Sequence, residues 1–150
     1  IMFSQDRVDF RQTFLDAWDK AQAGGPLEPL EQQIVDIIRQ HPEYRSLVEA
    51  GDEVLDRDWL PEQGETNPFL HMALHLAILD QMQTDLPPGM RKLYQQSIRS
   101  SRGDVHDAEH RIMACLAEML WHTQHDGGEP DIKRYLKCVK KRIGGGKGDF

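Results

Sequence analysis

The chain has 150 residues and a formal net charge of −7, and 39% of its residues are hydrophobic. This length suits one domain with a sizeable core. The negative charge would repel a phosphate backbone, so the composition argues against a nucleic-acid partner. No apolar run is long enough to cross a membrane and no export signal precedes the first helical pattern, so the sequence predicts a cytoplasmic protein with no membrane partner.

Apolar residues recur with helical rather than alternating spacing along nearly the whole chain. This pattern predicts an all-α protein, a compact helical bundle of about six helices that forms one domain over residues 1–143. The glycine-rich residues 144–150 are expected to form a flexible tail. The first helix is expected to be capped by Ser4 and to end near Gly24–Gly25.

A second helix is predicted over residues 29–40 and a short third over residues 43–51. His41 and Pro42 separate them, because the residue before a proline disfavours the helical conformation, and His41 is therefore interpreted as a turn residue. Four apolar side chains of the second helix are expected in the core: Leu30, Ile34, Ile37 and Ile38. Residues 52–66 have no sustained period and are predicted to form an ordered loop pinned by Leu55 and Trp59.

A central helix is predicted over residues 68–83, because Asn67 can cap it and Pro68 suits its first position. Its circumference is almost wholly apolar, so it is expected to pack on the helix predicted over residues 105–125. A helix that is apolar on every side can also be covered by a second subunit, so a homodimer or a protein partner is an open prediction.

The last third of the chain predicts helices over residues 90–103, 105–125 and 131–143, the second of them capped by Asp104. The helix over residues 105–125 carries an apolar stripe that is expected in the core: Met113, Met119, Leu120 and Trp121. Cys115 and Cys138 have no CxxC spacing, so reduced thiols are expected rather than a disulfide framework or a zinc knuckle.

Two histidine pairs with i, i+4 spacing lie on different predicted helices, His71 with His75 and His106 with His110. Such pairs on facing helices can present four nitrogens to one metal ion. Glu109 falls within the apolar arc of its helix, where a carboxylate needs a cation, an arginine or a proton. The pattern predicts that the two pairs face each other and bind zinc, iron or nickel, with Glu109 as a fifth ligand or as an acceptor that orients an imidazole.

Other interpretations of the same residues stay open. The histidines and Glu109 can form a hydrogen-bonded polar core in a non-enzymatic protein-interaction module, with Glu109 paired to Arg91 or Arg99. Residues 106–110, HDAEH, also match the H-x-x-E-H pattern of inverted zinc peptidases. Five residues with two unspecified positions are a weak signal, and the sequence does not decide whether the protein is an enzyme.

Three stretches of the sequence resemble one protein family: HPEYRSLV, LDRDWLPEQGETNPFLHMALHLAI and HDAEHRIMACLAEMLW. The chain resembles the family catalogued as domain of unknown function 1841 from about Phe3 to Lys140. The resemblance implies a small helical bacterial protein, and it supplies no activity, ligand or functional residue. The histidine hypothesis therefore depends on the chemistry of the residues themselves.

Overall fold

A computed structural model describes the backbone of residues 2–59 and 67–143 and the side chains of residues 6–59 and 67–143. The described residues form seven α-helices and one 3₁₀ helix, without a β-strand: α1 Met2–Gln22, α2 Pro29–Gln40, α3 Pro42–Glu49, the 3₁₀ helix Gly51–Val54, α4 Pro68–Thr84, α5 Met90–Ser100, α6 Val105–Asp126 and α7 Ile132–Ile143. The predicted all-α class is confirmed. The predicted tail, residues 144–150, lies outside the described residues.

The chain divides into two compact units, residues 1–73 and residues 74–150. The division falls within α4, so this single helix contributes its first turns to the first unit and the remainder to the second. No described helix has the length and apolar character needed to cross a membrane.

The first unit is built from α1, α2 and α3, which pack against one another. Its interior contains Phe14 and Trp18 from α1 and a row of aliphatic residues from α2: Ile34, Val35, Ile37 and Ile38. Leu30 was predicted to join that row, but 52% of it is exposed. This prediction was wrong because Leu30 is in the first turn of α2, where the neighbouring helices do not cover it.

Hydrogen bonds from Arg11, a buried side chain of α1, hold the segment after α3 against that helix. The Nη1 atom of Arg11 donates to the carbonyl oxygens of Val54, Leu55 and Arg57 at 2.7 to 3.1 Å. The predicted anchors of the loop are also in contact with the unit, since Leu55 is buried and Trp59 packs on Phe69 with ring centroids 5.9 Å apart. Residues 60–66 of the predicted loop lie outside the described part of the chain.

The second unit packs the end of α4 with α5, α6 and α7 around one hydrophobic core. Leu74 and Ile78 of α4 share this core with Ile112 and Met113 of α6, which confirms that the central helix packs on α6.

The helix caps that the sequence predicts at Asn67 and Asp104 are also present. Asn67 Oδ1 accepts from the backbone N–H of Phe69 at 2.9 Å, and Asp104 Oδ1 accepts from that of Asp107 at 3.0 Å.

Two predictions in the second unit were wrong. Cys115 and Cys138 form a disulfide between α6 and α7 rather than reduced thiols, because the packing of these helices brings their Cα atoms to 5.7 Å. Trp121 and Leu120 were expected in the core, but 54% and 39% of them are exposed. They lie in the last two turns of α6, whereas the buried residues of this helix lie between Ala108 and Leu116.

Candidate metal centre

Burial separates the histidines of this chain into two groups. His41, His71, His75 and His110 are buried, whereas His106 and His122 are partly exposed and His125 is exposed. A buried imidazole needs a hydrogen-bond partner or a metal ion for its ring nitrogens, because an unsatisfied buried polar group costs a few kcal/mol. The buried histidines are therefore the ones whose partners bear on function.

His75, on α4, is fully buried and is oriented by a carboxylate of α6. Its Nδ1 lies 2.8 Å from Glu109 Oε1. An ionised carboxylate can only accept, so the Nδ1 nitrogen carries the proton of this bond. In the neutral ring Nε2 then presents a lone pair, which is the form in which histidine binds a metal.

His110, on α6, faces His75 at this lone pair. The two Nε2 atoms are 3.2 Å apart. Two nitrogen ligands of one tetrahedral zinc ion, each at about 2.0–2.1 Å, lie about 3.3 Å apart. The same distance also suits a hydrogen bond from a protonated His110 Nε2 to His75 Nε2. The prediction that the two histidine pairs face each other is confirmed for these two rings.

Glu109 uses both carboxylate oxygens inside the second unit. Oε1 accepts from His75, and Oε2 accepts a 2.6 Å hydrogen bond from the hydroxyl of Tyr94 on α5. Burial, then the charge of Glu109 and this hydrogen bond, raise the pKa of Tyr94 far above its usual value. Pairing of Glu109 with Arg91, one of the alternatives considered, does not occur, since the Arg91 guanidinium donates to the carbonyl oxygens of Met82 and Gln83.

His106 lies one turn before His110 on α6 and at the edge of the same group. Its ring centroid is 4.0 Å from that of His110 and 5.6 Å from that of His75. Unlike those two rings, it is partly exposed. His75, His106 and His110 therefore form a triangular cluster in which His106 is the most exposed member.

In the first unit, His71 packs on a histidine that the sequence interpretation did not include in the site. The ring of His71 stands nearly perpendicular to that of His41, with centroids 4.9 Å apart. His41 Nδ1 lies 2.8 Å from the carbonyl oxygen of Ile37, which can only accept, so Nδ1 is the donor and the neutral ring presents a lone pair at Nε2. Tyr44 stacks on His41, with centroids 5.0 Å apart, and its ring centroid lies 5.8 Å from that of His71.

The predicted turn at His41 is present, since this residue ends α2 and precedes α3. The burial of His41 was not predicted from the sequence. The spacing of this residue could have indicated it, because a residue four positions after Ile37 lies on the apolar stripe of the second helix.

The model of one protein family, Domain of unknown function (DUF1841), matches residues 6–141. The chain belongs to the DUF1841 family. Among curated proteins and among solved structures, nothing matches it significantly. The residues that match the DUF1841 family model include all seven histidines and Glu109.

In this DUF1841 protein the predicted site residues are distributed over the two units. The second unit brings together His75, His106, Glu109 and His110, and the first unit brings His71 against His41. Helix α4 carries both His71 and His75, one turn apart. The H-x-x-E-H residues all lie on α6, where the carboxylate of Glu109 is engaged by an imidazole and a phenol.

Proposed function

We propose that this protein binds one divalent metal ion through buried histidines, with His75 Nε2 and His110 Nε2 as the central pair of ligands. The observation that carries the proposal is the 3.2 Å distance between these two nitrogens, which matches the spacing of two ligands on one tetrahedral ion. The hydrogen bond from His75 Nδ1 to Glu109 supports it, because ligating histidines commonly donate their second N–H to a carboxylate.

His71 precedes His75 by one turn of α4, and in the first unit it packs on His41, whose Nδ1–H is engaged by the carbonyl oxygen of Ile37. The assignment of His71 as a metal ligand stays a prediction from the sequence.

Glu109 acts as the acceptor that orients His75 rather than as a ligand. Its two oxygens are already used by His75 and Tyr94. Its hydrogen bond fixes the orientation of the His75 ring, and its negative charge offsets part of the charge of the ion. Of the two roles considered for Glu109 from the sequence, we therefore propose the second.

Neutral imidazole ligands suit zinc, iron or nickel, and the described cysteines supply no thiolate because they are joined in a disulfide. Glu109, the acidic residue of the H-x-x-E-H pattern, already accepts hydrogen bonds from His75 and Tyr94. We therefore propose that the ion is held for structure, storage or transfer rather than for hydrolysis.

A second candidate is a polar core that holds no metal. It is favoured by the continuous series of hydrogen bonds from Tyr94 through Glu109 to His75, which needs no ion, and by the distance from His75 to His110, which also suits a hydrogen bond. In that case the histidines would fix the packing of α4 on α6, and the protein would act through its surface.

Zinc binding separates the two candidates. Protein made without a histidine tag is freed of metal with a chelator and titrated with zinc, iron(II) and nickel. The metal-site proposal expects about one ion per chain and a rise in melting temperature on binding, because a ligand that binds only the folded state stabilises it. The variant with both His75→Ala and His110→Ala should lose this binding, whereas His125→Ala, which changes an exposed histidine on the same helix, should retain it. If none of the three metals binds more tightly to the wild type than to the double variant, the polar core is correct.

A further inference from the structure

His106 differs from His75 and His110, its two neighbours in the second unit, in its access to solvent. It is partly exposed, and the two residues before it, Asp104 and Val105, are exposed. One turn further along α6, His110 is buried, and His75 on α4 is fully buried. The three imidazoles therefore form a cluster with one solvent-accessible member, His106, whose ring centroid lies 4.0 Å from that of His110 and 5.6 Å from that of His75.

A hydrated divalent ion has a high barrier to entering such an interior. Removing its water before any protein ligand replaces it would leave an uncompensated charge in an apolar environment, which is very costly. The barrier is lowered when water ligands are replaced one at a time by protein nitrogens. A ligand on the exposed side of the cluster makes that stepwise exchange possible.

We infer that His106 is an entry ligand, which captures the ion at the surface and transfers it to His110 and His75. This inference depends on the metal site proposed above. A nitrogen of His106 first replaces one water on the ion. His110 Nε2 and His75 Nε2 then each replace a further ligand, and the bond to His106 breaks as the ion reaches its final position. The ion keeps its charge throughout, and each nitrogen that binds displaces one water or one nitrogen.

This role has a kinetic signature that a resident ligand does not have. A group that only lowers the barrier for entry accelerates release by the same factor, so its removal slows both directions and leaves the equilibrium dissociation constant unchanged. Removal of a resident ligand instead accelerates release and raises the dissociation constant. The two roles are therefore distinguished by rates together with affinity.

Stopped-flow measurement tests the inference with zinc and a fluorescent zinc chelator, in both the uptake and the release direction. For His106→Ala we expect uptake and release to slow together on the order of tenfold, with an unchanged zinc dissociation constant. His106→Phe keeps a ring against His110 without a ligating nitrogen and should slow both rates equally, which separates ligation from packing. His125→Ala is the matched control and should keep wild-type rates.

Three results would overturn the inference. The first is wild-type rates in His106→Ala, and the second is faster release with a raised dissociation constant, which would make His106 a resident ligand. The third is slow exchange in His106→Ala that His106→Phe restores, which would assign the effect to ring packing. A wild-type protein that binds no zinc, iron(II) or nickel would instead contradict the metal site itself, so failure of the two proposals is distinguishable.

Discussion

The hydroxyl of Tyr94 donates a 2.6 Å hydrogen bond to Glu109, and the opposite oxygen of the same carboxylate accepts from His75 Nδ1 at 2.8 Å. This arrangement connects a buried phenol on α5 to the proposed ligand on α4 through a single side chain of α6. Any effect of Tyr94 on the metal is therefore expected to pass through Glu109.

Glu109→Gln is expected to raise the zinc dissociation constant by roughly 10–100-fold, because the amide can still accept from His75 but no longer supplies a negative charge. Tyr94→Phe should have a smaller effect in the same direction, since it removes one hydrogen bond and keeps the carboxylate. Competition titrations with a zinc chelator measure both variants. Equal zinc affinity in Glu109→Gln and the wild type would contradict the role assigned to this carboxylate.

Alkaline pH is expected to unfold the protein through its tyrosines. Burial raises the pKa of Tyr44 to about 12, and it raises those of Tyr94 and Tyr135 further. In the unfolded chain a tyrosine ionises near pH 10. Stability should therefore be intact below about pH 10 and fall as pH rises above it, because the unfolded state releases protons that the folded state retains.

Ultraviolet absorbance of tyrosinate and circular dichroism, followed in one pH titration, check this prediction. The tyrosinate signal of the three residues should appear above pH 10 and, for Tyr94 and Tyr135, together with the loss of helix. Tyr94→Phe should reduce the amplitude by one residue. Ionisation of all three tyrosines near pH 10 with the helix content unchanged would show that their environments are not those described.

Reduction of the disulfide between Cys115 and Cys138 is expected to destabilise the protein. The bond closes a loop with a sequence separation of 23, and reopening such a loop lowers the free energy of unfolding by about 3 kcal/mol. Urea unfolding with and without dithiothreitol measures the effect. Cys138→Ser should be as unstable as the reduced wild type and should not respond to dithiothreitol. A wild-type transition that reductant leaves in place would argue against the bond.

Arg11→Met is expected to destabilise the first unit by roughly 2–4 kcal/mol, because it leaves three carbonyl oxygens without their buried charged donor. Arg45→Met provides the matched control. Arg45 pairs with Glu49 on the surface of α3, where 61% and 48% of the two side chains are exposed, so its loss should cost less than about 1 kcal/mol. Comparable destabilisation by both substitutions in urea unfolding would contradict the importance given to Arg11.

The sequence by itself determined the helices and most of their ends. The helix starts at Asn67, Pro68 and Asp104 depend on backbone groups within one turn. They can therefore be predicted without knowledge of the rest of the chain. Helical spacing likewise identified the two histidine pairs and showed that Glu109 lies on an apolar arc. These features depend on local geometry, which the order of residues specifies directly.

Only the tertiary structure decided which partners these side chains have. The bond from His75 to Glu109, the disulfide of Cys115 with Cys138 and the contact of Arg11 with residues 54–57 each join positions at least 23 residues apart. Exposure of Leu30 and Trp121 and burial of His41 also depend on which neighbouring helix covers them. Helical spacing fixes the direction of a side chain about its own helix axis, whereas its partner depends on how that helix packs against others, and that packing is a property of the whole core.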